Sequence, residues 1–203
     1  MNLYLALGDS YTIGESVPED GRWPVQLAAL LQEAGIPMVA PQIIARTGWT
    51  TAELAGAIAG TRFEPEYDLV SLLIGVNNHY RGYPLEPYRV EFAALVEQAI
   101  EFAGGDPHRV LVVSIPDWGA TPFAKNDPRG AEWITVEVAA FNAVNRAEAD
   151  RLGVVYIDIF PISQGAYTDL TLIAGDGLHP SQRQYALWAH AALPAALEIL
   201  GDE

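Results

Sequence analysis

The stretch Asp68-Leu69-Val70-Ser71-Leu72-Leu73-Ile74-Gly75 decides how this chain is read. Apolar residues run through it almost without a break, and a glycine closes it. So short a run, bounded by turn residues, reads as a strand buried on both faces. Working outward, runs of the same kind lie at Leu3 to Leu7, Met38 to Ala45, Val110 to Ile115 and Val154 to Ile159. Between them the apolar spacing turns helical. Trp23 to Ala34 is one helix, stopped by Gly35. Thr50 or Thr51 caps a second through Ala59, with Glu53 placed to complete a capping box. Pro84 to Ala103 precedes Gly104-Gly105, and Ala131 to Leu152 precedes Gly153. Ser181 opens a last helix to about Leu200. Pro116 to Arg129 has three prolines and no periodicity, so it reads as a long loop, and Ile162 to Leu178 reads as irregular. Strands alternating with helices predict a parallel sheet covered on both faces. With no repeat and no linker, residues 1–203 read as one three-layer α/β/α domain.

Composition removes several classes of partner. The 26 acidic residues outnumber the 11 basic ones, for a formal net charge of −15. Such a surface repels phosphate backbones and anionic lipid, so nucleic acid is not an expected partner. Cysteine is absent, which removes disulfides, thiol nucleophiles and thiolate metal sites. No apolar run reaches the length of a membrane span. Leu3 to Leu7 is too short for a secretory signal, and the chain reads as cytoplasmic. No histidine pair has metal-ligand spacing, and no glycine pattern marks a nucleotide site. Neither metal nor other cofactor is expected.

Ligands in open α/β sheets sit outside the carboxyl ends of the strands. Polar sets stand at those positions: Gly8-Asp9-Ser10, Thr47-Gly48, Gly75-Val76-Asn77-Asn78, and Asp176-Gly177-Leu178-His179-Pro180. A serine hydroxyl needs a base to take its proton, and imidazole titrates in the right range. A carboxylate on the other ring nitrogen fixes the tautomer. Asp176 and His179 share one loop, close enough for one to orient the other. Gly48 offers a backbone N–H and Asn77 a side-chain amide for a developing oxyanion.

In family order, these blocks resemble those of the SGNH hydrolases, the GDSL esterases and lipases. The resemblance spans residues 8 to 180. It implies a flavodoxin-like five-stranded sheet of order 2-1-3-4-5. It also implies Ser10 as nucleophile, His179 as base, Asp176 as orienting acid, and an oxyanion hole of Ser10, Gly48 and Asn77. The substrate would be a small-molecule ester. Two positions depart from the usual pattern. Tyr11 stands where leucine is common, and Asn78 where aspartate is usual.

Other readings compete. Asp9-Ser10-Tyr11-Thr12 approaches the first motif of haloacid-dehalogenase-like phosphohydrolases, but the second acid is missing and Lys125 is the sole lysine. A non-catalytic flavodoxin-like binding module and an acyltransferase using the same acyl-enzyme are the others. Short connections favour small or short-chain acyl groups. Tyr11, Trp49, Tyr80, Trp118 and Leu178 flank the motifs and serve either as an acyl pocket or as ordinary core. His79 reads as a surface-loop residue or a pocket neighbour. His108 and His190 receive no role.

Overall fold

Where the sequence offers uninterrupted apolar runs, the computed structural model, which describes residues 1–201, builds five parallel strands. These are β1 (Tyr4–Gly8), β2 (Gln42–Ala45), β3 (Leu69–Leu73), β4 (Val110–Val113) and β5 (Val155–Ile157). Their order is β2-β1-β3-β4-β5. The helices are α1 (Ser10–Ile13), α2 (Trp23–Glu33), α3 (Thr51–Ala59), α4 (Val76–Tyr80), α5 (Leu85–Phe102), α6 (Ala131–Leu152), α7 (Phe160–Ser163) and α8 (Gln182–Gly201). α2 and α8 pack together on one face of the sheet, and α3, α5 and α6 cover the other. The central strands β1, β3 and β4 are buried along their whole length, which explains their lack of polar alternation. The expected domain ends at residue 203; Asp202 and Glu203 lie outside the described residues.

The differences from the sequence reading have local causes. β2 begins at Gln42, and Met38 joins the sheet only through an isolated bridge to Asn2. Pro41 has no N–H to donate, so the ladder starts after it. β2 is also only half buried, because it is an edge strand. Thr50 rather than Thr51 caps α3, with its N–H donating to Glu53 Oε2 at 2.8 Å. The segment after Gly75, expected as a loop, folds as α4. Residues 116–129 contain two short 3-10 turns, Trp118–Ala120 and Phe123–Asn126. Among the described residues, no helix is long and apolar enough to cross a membrane.

Candidate active site

The three strands that carry the motifs end level. Gly8 of β1 pairs with Ala45 of β2 and with Leu73 of β3. The segments leaving them therefore emerge side by side, where the chain crosses from β1 to opposite sides of the sheet. Ser10 is the first residue of α1. Asp9 caps that helix, its Oδ1 accepting the Tyr11 N–H at 3.0 Å. Beyond β3, Gly75 turns the chain at φ +126°, and a Cβ there would collide with the Tyr88 hydroxyl. Only glycine fits such a turn, and it aims α4, with Asn77, at the same edge.

The loop before α8 supplies an acid and an imidazole. His179 Nδ1 lies 2.7 Å from Asp176 Oδ2. Asp176 Oδ1 accepts two backbone N–H groups, those of Leu178 and His179, each at 2.9 Å. The Ser16 hydroxyl donates to Oδ2 at 2.7 Å. Partial burial pushes the Asp176 carboxyl up. The Ser16 hydroxyl, the backbone N–H groups and His179 outweigh it and hold the carboxyl well below the usual range. An ionised carboxylate accepts, so Nδ1 carries the proton and Nε2 keeps its lone pair. That nitrogen has no partner among the described residues.

Ser10, Gly48, Asn77 and His179 meet at one cavity of about 230 Å³. The backbone N–H groups of Ser10 and Gly48 have no acceptor among the described residues. The Asn77 amide donates one N–H to the Trp49 carbonyl at 2.9 Å, which leaves its second N–H available. The structure thus brings all the sequence-predicted residues together, but it closes no hydrogen bond between the Ser10 hydroxyl and His179. Tyr11, Val76, Trp118 and Leu178 form the apolar walls, with Tyr80 and Phe123 at a more exposed rim. Trp49 does not line the cavity and packs against the core instead. A larger recess of about 480 Å³ lies at the other end of the sheet, near Asp106 and His108, and holds no hydroxyl nucleophile. Among the described residues, no group of three or more His, Asp or Glu side chains is placed to hold a metal ion. Asp9 is fully buried and does not line the cavity, a poor position for an aspartyl nucleophile.

Several participants escaped the sequence reading. Asn78, the departure from the usual aspartate, is buried and tied to α3. Its Oδ1 accepts the Thr51 N–H at 3.1 Å and its Nδ2 donates to the Thr51 hydroxyl at 2.7 Å. That hydroxyl donates in turn to Glu91. The amide therefore does locally what a carboxylate could only half do, since it both accepts and donates. Arg81 donates to the Gly48 carbonyl at 2.6 Å and pairs with Glu53 at 3.3 Å, tying the second motif loop to α4. Ser16 has φ +66°, the sole left-handed non-glycine residue among those described. Its sequence neighbours carry no hint of a contact with Asp176. His79 is neither a surface residue nor part of the cavity lining; it is buried behind Trp118.

The sequence model of the GDSL-like Lipase/Acylhydrolase family matches residues 6–187. No curated protein matches the sequence. Among solved structures, TesA is similar, at TM-score 0.75 and 20% identity over 98% of this chain and 99% of that one. The psychrotrophic esterase EstA from Pseudoalteromonas sp., solved with monoethylphosphonate as inhibitor, matches at TM-score 0.73 and 16% identity, covering 100% of both chains. Axe2, an acetylxylan esterase from Geobacillus stearothermophilus, matches at TM-score 0.70 and 17% identity, over 100% of this chain and 95% of that one. At these identities the likeness carries the fold, which agrees with the observed strand order.

Proposed function

The chain belongs to the GDSL-like lipase/acylhydrolase family, and from that premise we propose that it hydrolyses small or short-chain acyl esters through Ser10, His179 and Asp176. One observation carries the reading: His179, held at Nδ1 by a carboxylate and with Nε2 unpartnered, lines the same cavity as Ser10. His179 Nε2 takes the Ser10 proton as the oxygen attacks the ester carbonyl. Asp176 holds the imidazole in the required tautomer and stabilises the imidazolium. The oxyanion that develops receives the Ser10 N–H, the Gly48 N–H and the free Asn77 N–H, all from residues that line the one cavity. His179 then returns the proton to the leaving alkoxide. Water activated by the same nitrogen cleaves the acyl-enzyme.

The modest cavity and its apolar walls support a short acyl group. An alcohol in place of water at the second step would make the same intermediate a transfer reaction. Product analysis with added alcohol separates the two. The first test is turnover of p-nitrophenyl acetate, butyrate and octanoate by wild type and Ser10→Ala. Serine-dependent turnover, fastest on the short esters, is the expected result. Labelling by an organophosphonate, the inhibitor class named for the Pseudoalteromonas esterase, is expected on Ser10. Near-wild-type turnover by Ser10→Ala sinks the proposal.

A further inference from the structure

One wall of the cavity has a support that the proposed reaction does not use. Trp118 is almost fully buried, and its indole N–H donates to His79 Nδ1 at 3.2 Å. An indole N–H can only donate, so Nδ1 carries the lone pair and Nε2 the proton. Nε2 lies 3.0 Å from Glu137 Oε2. The other oxygen of Glu137 accepts the Trp133 indole N–H at 2.9 Å. The Arg129 guanidinium lies over the Trp118 ring, 5.1 Å from its centroid. Burial pushes the His79 pKa down, against the upward pull of Glu137, in keeping with a neutral ring. Both ring nitrogens are therefore filled, and His79 itself does not line the cavity.

What the indole separates gives this support a consequence. Beyond Trp118 is a void of about 10 Å³ lined by Pro116, Asp117, Thr121 and Ser163. Trp118, Tyr11 and Leu178 line both this void and the larger cavity. Trp118 is thus a shared wall of the two, and the void behind it is too small to add length to the cavity by itself. We propose that His79 is a positioning residue that determines specificity: by accepting the Trp118 N–H it fixes this wall and limits the acyl chain that fits. This inference rests on reading the larger cavity as the acyl site. Without the acceptor, a buried indole N–H is left unpaired, which favours an indole turned out of place and a cavity lengthened by the volume that its ring vacates.

Two variants test it. His79→Phe keeps a ring but removes the acceptor, whereas His79→Gln retains both an acceptor and a donor. The quantity read is kcat/KM for p-nitrophenyl octanoate relative to acetate. His79→Phe is expected to raise that ratio by about tenfold, the low end of what one methylene is worth in an apolar pocket, with acetate turnover nearly unchanged. His79→Gln is expected to keep the wild-type ratio. Equal shifts in both variants would mean that volume, not the hydrogen bond, sets the limit, and would overturn the proposal. So would an unchanged ratio in a folded His79→Phe protein; His79→Met replaces it if it does not fold. A wild type that hydrolyses none of these esters counts against the proposed function alone. Calorimetry of butyrate and octanoate binding to Ser10→Ala, with and without His79→Phe, then asks the same question. A relative affinity that does not move toward octanoate overturns the inference.

Discussion

Two histidines stand near the cavity, each against a carboxylate, and the contrast between them is what the proposed mechanism turns on. His179 meets Asp176 through Nδ1, leaves Nε2 unpartnered and lines the same cavity as Ser10. His79 meets Glu137 through Nε2, and Trp118 fills its Nδ1. Both pairs contain an acid and an imidazole at hydrogen-bond distance. The difference is the unfilled nitrogen, not the presence of the pair. A ring with both nitrogens occupied has no lone pair to offer a serine proton, whatever its distance from one. The surroundings follow the same division. His179 sits on a partly exposed polar loop, where its partner is held ionised by four hydrogen-bond donors. His79 sits among Phe141, Trp118 and other buried groups that favour the neutral ring.

The largest expected effect breaks this comparison most directly. His179→Ala and Ser10→Ala should each lower kcat on p-nitrophenyl acetate by roughly 10⁴ or more, as removal of a triad member does elsewhere. His79→Phe should change it by less than about threefold, because a filled ring takes no part in proton transfer. Equal losses at the two histidines would erase the distinction. Next in size, Asn77→Ala should cost about 10²–10³ in kcat, the usual value of one oxyanion donor. Stopped assays on the short esters, with KM followed separately, check this.

A smaller effect sharpens the polar side. Ser16 holds Asp176 from a left-handed backbone that a serine rarely adopts. Ser16→Gly relieves the backbone and removes the hydroxyl. It should lower kcat by roughly tenfold, in line with other outer partners of a working group, while stability holds or rises. A kcat equal to wild type would show that the two backbone N–H groups hold Asp176 unaided.

The smallest effect concerns stability. Burial, opposed by the Tyr11 N–H, pushes the Asp9 carboxyl up from 3.8 to about 7, and its Oδ2 has no partner. Between those two values the unfolded chain releases a proton that folded Asp9 retains. Stability therefore falls as pH rises through that window, and the penalty is complete above about 7. Asp176 has the opposite sign: its contribution is present above the unfolded carboxyl range and is lost as acid protonates it. Asp9→Asn should raise the melting temperature at pH 8 more than at pH 5. Parallel shifts at both values would show that Asp9 is already ionised in the folded protein.

Much of this molecule was legible in local pattern. The central strands announce themselves because burial on both faces leaves no room for polar residues, as in Leu69 to Leu73. Ala131–Leu152 has the bounds that its spacing and Gly153 predict. That Ser10, Gly48, Asn77, Asp176 and His179 stand at one edge of the sheet was readable because each lies in a short block next to a strand end or the last helix. β2 was overextended because apolar character does not show where Pro41 interrupts a ladder. His79 was misplaced because its neighbours in sequence are polar, while its neighbours in space come from α6 and the loop after β4.

By itself, then, the sequence determined the alternation of strands and helices, and it determined which residue types stand at the ends of the strands. Burial, turn chemistry and helix caps act over a few residues and leave their mark there. Only the tertiary structure decided that Ser16 reaches Asp176, that Asn78 is tied to Thr51, and that one histidine is left open while the other is filled. Those outcomes depend on which side chains the packing of the sheet and its helices brings within about 3 Å of one another, the range over which a hydrogen bond acts.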